Sequence, residues 1–155
     1  MLPDNTILLS IQPRFAEKIF ERTKAVELRR VRPKVDRGDI ALVYVSSPVK
    51  ALYGAFSIEK VITDTPSKLW QIVKDIAGVS RAEFDHYYRG ASVGVGIFIK
   101  LSSVKTLNNP MDLDRLRRDW PHFQPPQSYR YLRSILEEYD RCPSRLQSLM
   151  AQYCY

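Results

Sequence analysis

The sequence predicts an α+β fold: a mixed β-barrel of five or six short strands, with helices at its ends and a helical C-terminal tail. Three observations carry this. Strand-sized apolar runs rich in β-branched residues fill the middle of the chain, the clearest being IALVYV at residues 40–45. Segments with apolar residues at four-residue spacing interrupt and follow them, as amphipathic helices do. Strands this short need closure to protect their edges, which favours a barrel over an open sheet. A chain of 155 residues accommodates one core with short accessories. No repeat of roughly 20 to 50 residues is visible, which removes solenoids and propellers.

Taken in order, Thr6 to Gln12 reads as a strand, and Pro13 then sits where proline is tolerated in the first turn of a helix. That helix is expected over residues 13–22. Phe15 with Ile19 and Ala16 with Phe20 form its inward stripe, while Arg14, Glu17, Lys18 and Glu21 face water. From Lys24 to Arg30 the period changes to two, with Val26 and Leu28 on one face and Glu27 and Arg29 on the other. Arg37-Gly38-Asp39 supplies a turn before the buried strand from Ile40, and Pro48 ends it. A long strand follows from Lys50 to Ile62, interrupted by Gly54, where a bulge or a close backbone approach is expected. Three strands in succession joined by tight turns predict antiparallel pairing among them.

Thr65-Pro66 opens a helix with an apolar face of Leu69, Trp70, Ile72, Val73 and Ile76, closed by Gly78. Ser80 and Glu83 form a capping box for a short helix ending at Gly90. Strand character returns at Ala91–Lys100 and at Val104–Leu107. Pro110 is expected to open a short helix through Leu113 and Leu116, and Pro121, Pro125 and Pro126 to impose an extended loop. Tyr129, Leu132, Ile135 and Leu136 have helical spacing, and Pro143 starts a last helix with Leu146 and Leu149.

Several function classes fall away on composition. The apolar runs are strand-sized, whereas a membrane span needs roughly 20 consecutive apolar residues. Asp4 lies in the N-terminal stretch with no basic leader, which argues against a secretory signal and for a cytoplasmic protein without membrane partners. Cys142 and Cys154 lack metal-ligand spacing and read as free thiols. With His86 and His122 as the only histidines, no metal or other cofactor is implied. A net charge of +7 favours anionic partners, and residues 14–37 hold much of the excess.

The segment LLSIQPRFAEKIFERTKAVELRR resembles the opening of ASCH domains, whose signature GxKxxExR follows a strand and a helix. Lys24, Glu27 and Arg29 match it, while Arg22 occupies the glycine position. YVSSPVKALYGAF, FDHYYRG and LNNPMDLDRLRRDW with PPQSYRYL extend the resemblance over most of the chain. It implies a PUA-like barrel over residues 1–108, a C-terminal helical extension over residues 109–155 packed on it, and a cleft beneath the first helix that binds RNA. One ASCH branch hydrolyses N4-acetylcytidine with a lysine, a threonine three residues later and a distant glutamate. Ribonuclease activity is also associated with the family. Here the residue three after Lys24 is Glu27, so the threonine nucleophile is missing.

Chemically, the Lys24 ammonium and Arg29 guanidinium suit a phosphate or a base carbonyl, and the Glu27 carboxylate suits an exocyclic amine. A desolvated Lys24 would lose pKa, and Glu27 would then serve as a base. The bland alternative is a Glu27–Arg29 salt bridge on the barrel surface. Ser10, Gln12, Tyr44, Ser46 and Ser47, at strand ends, are expected to line the cleft. Arg14, Lys18, Arg22 and Arg30 are expected to track phosphates. Tyr87 and Tyr88 are expected to pack, His86 to lie on the surface, and Trp70 and Trp120 to sit in or near the core. The leading reading is recognition of RNA or of a modified nucleoside from it. An amidohydrolase or metal-independent ribonuclease is the alternative. A DNA-binding regulator using Arg115, Arg117 and Arg118 ranks third, because no helix-turn-helix is evident.

Overall fold

The computed structural model of the protein describes residues 5–153, so Asp4 and Cys154 lie outside the described residues. Its elements in chain order are β1 (Ile7–Ile11), α1 (Pro13–Phe20), β2 (Val26–Arg29), β3 (Ile40–Val45), β4 (Ala51–Asp64) and α2 (Pro66–Val73). There follow α3 (Arg81–Tyr87), β5 (Gly94–Asp112), α4 (Leu113–Asp119), β6 (Tyr129–Tyr131), α5 (Leu132–Tyr139) and α6 (Ser144–Ala151). The six strands form one sheet in the order β2-β5-β4-β3-β1-β6, curled into a half-barrel. This is the α+β arrangement the sequence predicts. None of the helices among the described residues is long and apolar enough to cross a membrane.

The central strands read as continuous apolar runs because both of their faces are buried. Ile7, Leu9 and Ile11 of β1 join Ala41, Val43 and Val45 of β3 in a core that α1 closes with Ala16 and Ile19. The alternate residues Leu8, Ile40, Leu42 and Tyr44 face a second core, built with Trp120, Phe123, Leu132, Ile135, Leu146 and Leu149 of the C-terminal segment. A third cluster packs Leu69, Val73, Phe84 and Tyr88 against Val26 and Phe98. Both sides of the sheet are therefore covered, and α2 and α3 flank its β2 edge.

Curvature comes from β-bulges. The β4–β5 pairing shifts register between Leu52 and Gly54, between Ala55 and Ser57, and between Ile58 and Lys60. Each extra residue bends the strand and increases its twist. Gly54 marks the first of these: a Cβ there would sit 2.1 Å from the Lys105 carbonyl oxygen and 2.9 Å from Phe20. The predicted close backbone approach is present.

Four expectations need correction. The three strands β2, β3 and β4 do not all pair in succession: β3–β4 is antiparallel as expected, but β2 joins β5 antiparallel, and β3 takes β1 as its other, parallel, neighbour. Residues 91–100 and 104–107 belong to one strand, β5, which continues to Asp112. Pro110 lies in that strand, and α4 begins later because the Asp112 carboxylate accepts the Arg115 amide as its cap. Finally, Tyr129 is not helical. Residues 129–131 pair antiparallel with β1, and only Leu132 onward forms the helix. Three helices are shorter than expected, α1 ending at Phe20, α2 at Val73 and α3 at Tyr87.

Candidate functional site

Hydrogen bonding leaves β2 and β6 as the two ends of the curled sheet. Between them runs a cleft of about 980 Å³, roofed by α1 and α3. It is lined by the segments around Ser10–Phe15, Lys24–Val31, Tyr44–Lys50, Val79–Tyr87 and Gln124–Ser128, with Leu113 and Arg117 of α4.

The two-residue period of β2 decides its floor. Val26 and Leu28 point into the cluster beneath α2 and α3, which turns Glu27 and Arg29 together to the cleft side. Lys24, just before the strand, is 1% exposed, and Glu27 and Arg29 are buried as well. The Arg29 Nη2 donates to Glu27 Oε2 at 2.7 Å, and Lys24 Nζ lies 3.9 Å from Glu27 Oε1. These three charges form one chain across the floor. Its ends hold the walls: Lys24 Nζ donates to the Ala77 carbonyl, while Arg29 reaches the Ser10 carbonyl at 2.9 Å and the Ser128 carbonyl and hydroxyl at 3.3 Å. Arg29 thus ties the β2 end of the sheet to the β1–β6 end, where no backbone ladder does so. The pair lies inside the cleft and not on the outer barrel surface. Burial lowers the Lys24 pKa, and the nearby Glu27 charge opposes that shift.

Tyr44 stands on β3 beside the register shift that follows Val43. Its ring belongs to the second core, while the residue also lines the cleft. The hydroxyl is buried and has no hydrogen-bond partner. Burial raises its pKa, with Arg117 acting in the opposite sense. Buried hydroxyls are nearly always satisfied, so an orphan at a cleft wall is open to a partner atom from water or a ligand. Around it stand Ser46, Ser47 and the exposed Lys50, which holds a left-handed backbone with φ of 53°. Strained non-glycine backbone of this kind concentrates at functional sites. Lys50 accepts the Leu113 amide at 3.0 Å, fixing the turn against α4. Arg117 is anchored by a 3.0 Å bond from Nε to the Phe123 carbonyl.

Of the residues expected to bind a ligand, Lys24, Glu27, Arg29, Ser10, Gln12, Tyr44 and Ser46 are all brought to this one cleft. Ser10 is committed to the loop, its Oγ donating to the Pro126 carbonyl. The four residues expected to track phosphates divide. Arg14 and Arg30 stand on the cleft wall, whereas Lys18 donates to the Gly78 carbonyl at 2.7 Å and Arg22 to the carbonyls of Leu101 and Val104. Neither of the latter pair lines the cleft. Arg22 has φ of 64°, the left-handed backbone that explains why the signature favours glycine there.

Sequence reasoning did not select Lys50, Ser128 or Tyr87 for the site, and it assigned Arg117 to a separate DNA-binding surface. Tyr87 and Tyr88 part company: Tyr88 is 3% exposed and donates to the Arg29 carbonyl, while Tyr87 is 38% exposed on the cleft wall. Asp85 pairs with Arg81, leaving His86 exposed at the rim. Among the described residues, no group of three His, Cys, Asp or Glu side chains could hold a metal ion.

Comparison with known proteins gives this arrangement a family. An ASCH domain-containing ribonuclease of Zymomonas mobilis is 28% identical over 133 residues, spanning 85% of this chain and 88% of that protein. The crystal structure of the ASCH protein from Zymomonas mobilis superposes with a TM-score of 0.80 at 26% identity, over 94% of this chain and 95% of the other. That protein has also been crystallised as a tyrosine-to-phenylalanine and as a serine-to-alanine variant, each with a TM-score of 0.78. The N-terminal domain of Staphylothermus marinus McrB, 13% identical, shares the fold with a TM-score of 0.55 over 92% of this chain and 93% of its own. The ASCH domain model matches residues 9–108, from β1 through the bulged part of β5, and the chain belongs to the ASCH domain family, with its PUA-like fold.

Proposed function

We propose that the cleft binds single-stranded RNA and cleaves it at a phosphodiester held between Tyr44, Lys50, Arg117 and Ser128. The observation that carries this reading is the buried Tyr44 hydroxyl, unpartnered in the wall of a cleft whose lining also includes Lys50 and Arg117. With its pKa raised, Tyr44 keeps its proton at neutral pH and acts as a donor. A phosphoryl oxygen or the departing 5′ oxygen is the acceptor that suits it. Lys50 and Arg117 offset the charge that grows on phosphorus in the transition state. Ser128, whose hydroxyl is already engaged by Arg29 at 3.3 Å, offers the phosphate a second hydroxyl contact. The ribonuclease relative supports the same reading.

Attack by the ribose 2′-hydroxyl, whose proton passes to solvent water, forms the 2′-O–P bond and breaks the P–O5′ bond as Tyr44 protonates the departing oxygen, leaving a cyclic phosphate on one product and a free 5′-hydroxyl on the other. RNA is therefore cut, while DNA of the same sequence stays whole. Hydrolysis of a nucleoside amide at Lys24 fits less well, since its ammonium is spent on Ala77 and Glu27 is held by Arg29.

The test is incubation of end-labelled single-stranded RNA with the parent chain and with Tyr44→Phe. Losing a proton donor costs about 10²–10⁴-fold in rate. Because that hydroxyl has no partner in the folded chain, Tyr44→Phe should unfold at the same urea concentration as the parent or a higher one. RNA left intact by the parent, or cut equally by both proteins, would refute the proposal.

A further inference from the structure

The cleft has two chemically different ends. Opposite the Tyr44 wall, α3 presents Glu83 and Tyr87 one helical turn apart, on one face. Each holds an arginine from another element. Arg14 of α1 pairs with Glu83 and lies over the Phe15 ring, 4.3 Å from its centroid. Arg30, just after β2, donates Nε to the Tyr87 carbonyl at 2.8 Å and lies over the Tyr87 ring at 5.3 Å. Two guanidinium planes are thus pinned on aromatic rings, Arg14 on Phe15 and Arg30 on Tyr87, and the α3 residues that hold them, Glu83 and Tyr87, are about 6 Å apart along the helix, the rise of four residues. Val31, 69% exposed, gives this end an apolar floor that water covers poorly.

No phosphate is needed to explain that arrangement. Arg14 already has a carboxylate partner, and Arg30 is bonded to a carbonyl, so both are oriented as surfaces more than as free charges. A guanidinium plane stacked on an aromatic ring offers its outer face to another flat group, and unpaired bases are the flat groups that RNA supplies. Tyr87 also lies within electrostatic reach of Glu27 and Arg29, so this end adjoins the cleft floor.

We infer that the α3 end of the cleft is a base-stacking shelf: one unpaired RNA base lies against Arg30 and Tyr87, with Arg14 at its other side, while the adjoining phosphate occupies the Tyr44 wall. This rests on the RNA reading above and adds to it the seat of the base. The shelf takes any base, since every base has a π face, and it excludes paired ones.

The experiment uses the full chain carrying Tyr44→Phe, so that RNA stays intact, and fluorescence anisotropy of a short labelled single-stranded RNA. Tyr87→Leu should weaken binding about ten-fold, and Tyr87→Phe, which keeps the ring, should bind as the parent does. Removing the base at one position of the RNA should cost a similar factor. That loss should disappear when the protein already carries Tyr87→Leu, because both changes delete one contact. Duplex RNA should bind more weakly than the single strand. Equal affinity for Tyr87→Leu and the parent, or abasic losses that simply add to it, would overturn the shelf. If the parent nevertheless cuts RNA, the shelf alone fails; absence of RNA binding by every protein removes the RNA reading with it.

Discussion

Lys24 carries the charge expected of a ligand group and is held in a buried backbone contact. Its ammonium sits 1% exposed with a carboxylate 3.9 Å away, and it is spent on a backbone carbonyl. Desolvation outweighs Glu27, so its pKa falls below the usual lysine value of 10.5. The consequence for stability has a definite sign. Between the folded pKa and 10.5 the unfolded chain binds a proton that the folded chain has released, so stability from this residue rises with pH across that window. Tyr44, Tyr87, Tyr88, Tyr129 and Tyr139 work the other way: their raised pKa values mean that stability is lost as pH climbs past about 10. Comparing the parent with Lys24→Met cancels the tyrosines. Urea unfolding at several pH values should show the parent gaining on Lys24→Met as pH rises toward 10.5; a constant difference would mean that Lys24 titrates normally. The sequence made this trio legible, because period two in β2 puts Glu27 and Arg29 on one side whatever the tertiary fold. It could not reveal Lys50, Arg117 or Ser128, which a turn after a proline, the α4 helix and the loop after Pro126 bring to the cleft from far along the chain.

Among the elements, β4 and β5 decide whether a cleft exists at all. Their three register shifts bend the sheet until β2 approaches β1 and β6 closely enough for Arg29 to span the gap. Gly54 is the position where this bending leaves no room. Gly54→Ala would drive a methyl group against the Lys105 carbonyl, which is backbone and does not yield. A cost of about 1–3 kcal/mol follows from overpacking of this kind, read as a lower urea midpoint. Cleavage should fall further than the loss of folded protein explains, because the displaced strand carries Leu52 beside Tyr44. Full activity in the remaining folded fraction would separate the bulge from the site. Gly54 announced itself in the sequence as a glycine inside a strand. Strand order did not, since the β1–β3 parallel pair and the β2–β5 pair both depend on contacts that local periodicity does not encode. Tyr129 was misread for the same reason: its spacing to Leu132 and Ile135 is helical, but a free β1 edge captures residues 129–131 first.

On the scale of the whole molecule, the charge of +7 favours anionic partners in general without saying where one would dock. The structure narrows the choice, because many of the cations are occupied. Lys18 and Arg22 cap carbonyls, Arg81 pairs with Asp85 and Arg37 with Glu59, and Lys24 with Arg29 share Glu27. Lys50 and Arg117 stand at the Tyr44 wall, where the phosphate is proposed to lie. If those two hold the one phosphate at the Tyr44 wall, the logarithm of affinity for single-stranded RNA should fall against the logarithm of salt with a slope near about −0.7, the value for one neutralised phosphate. Lys50→Ala should flatten that slope and weaken binding uniformly across sequences. Lys68→Ala, exposed on α2 and outside the cleft lining, removes the same charge and should leave the slope unchanged. A diffuse cationic surface predicts the opposite pattern, with the two substitutions equivalent. Salt titrations of the two variants beside the parent therefore distinguish a localised phosphate seat from general attraction, and equal slopes for Lys50→Ala and Lys68→Ala would remove Lys50 from the site.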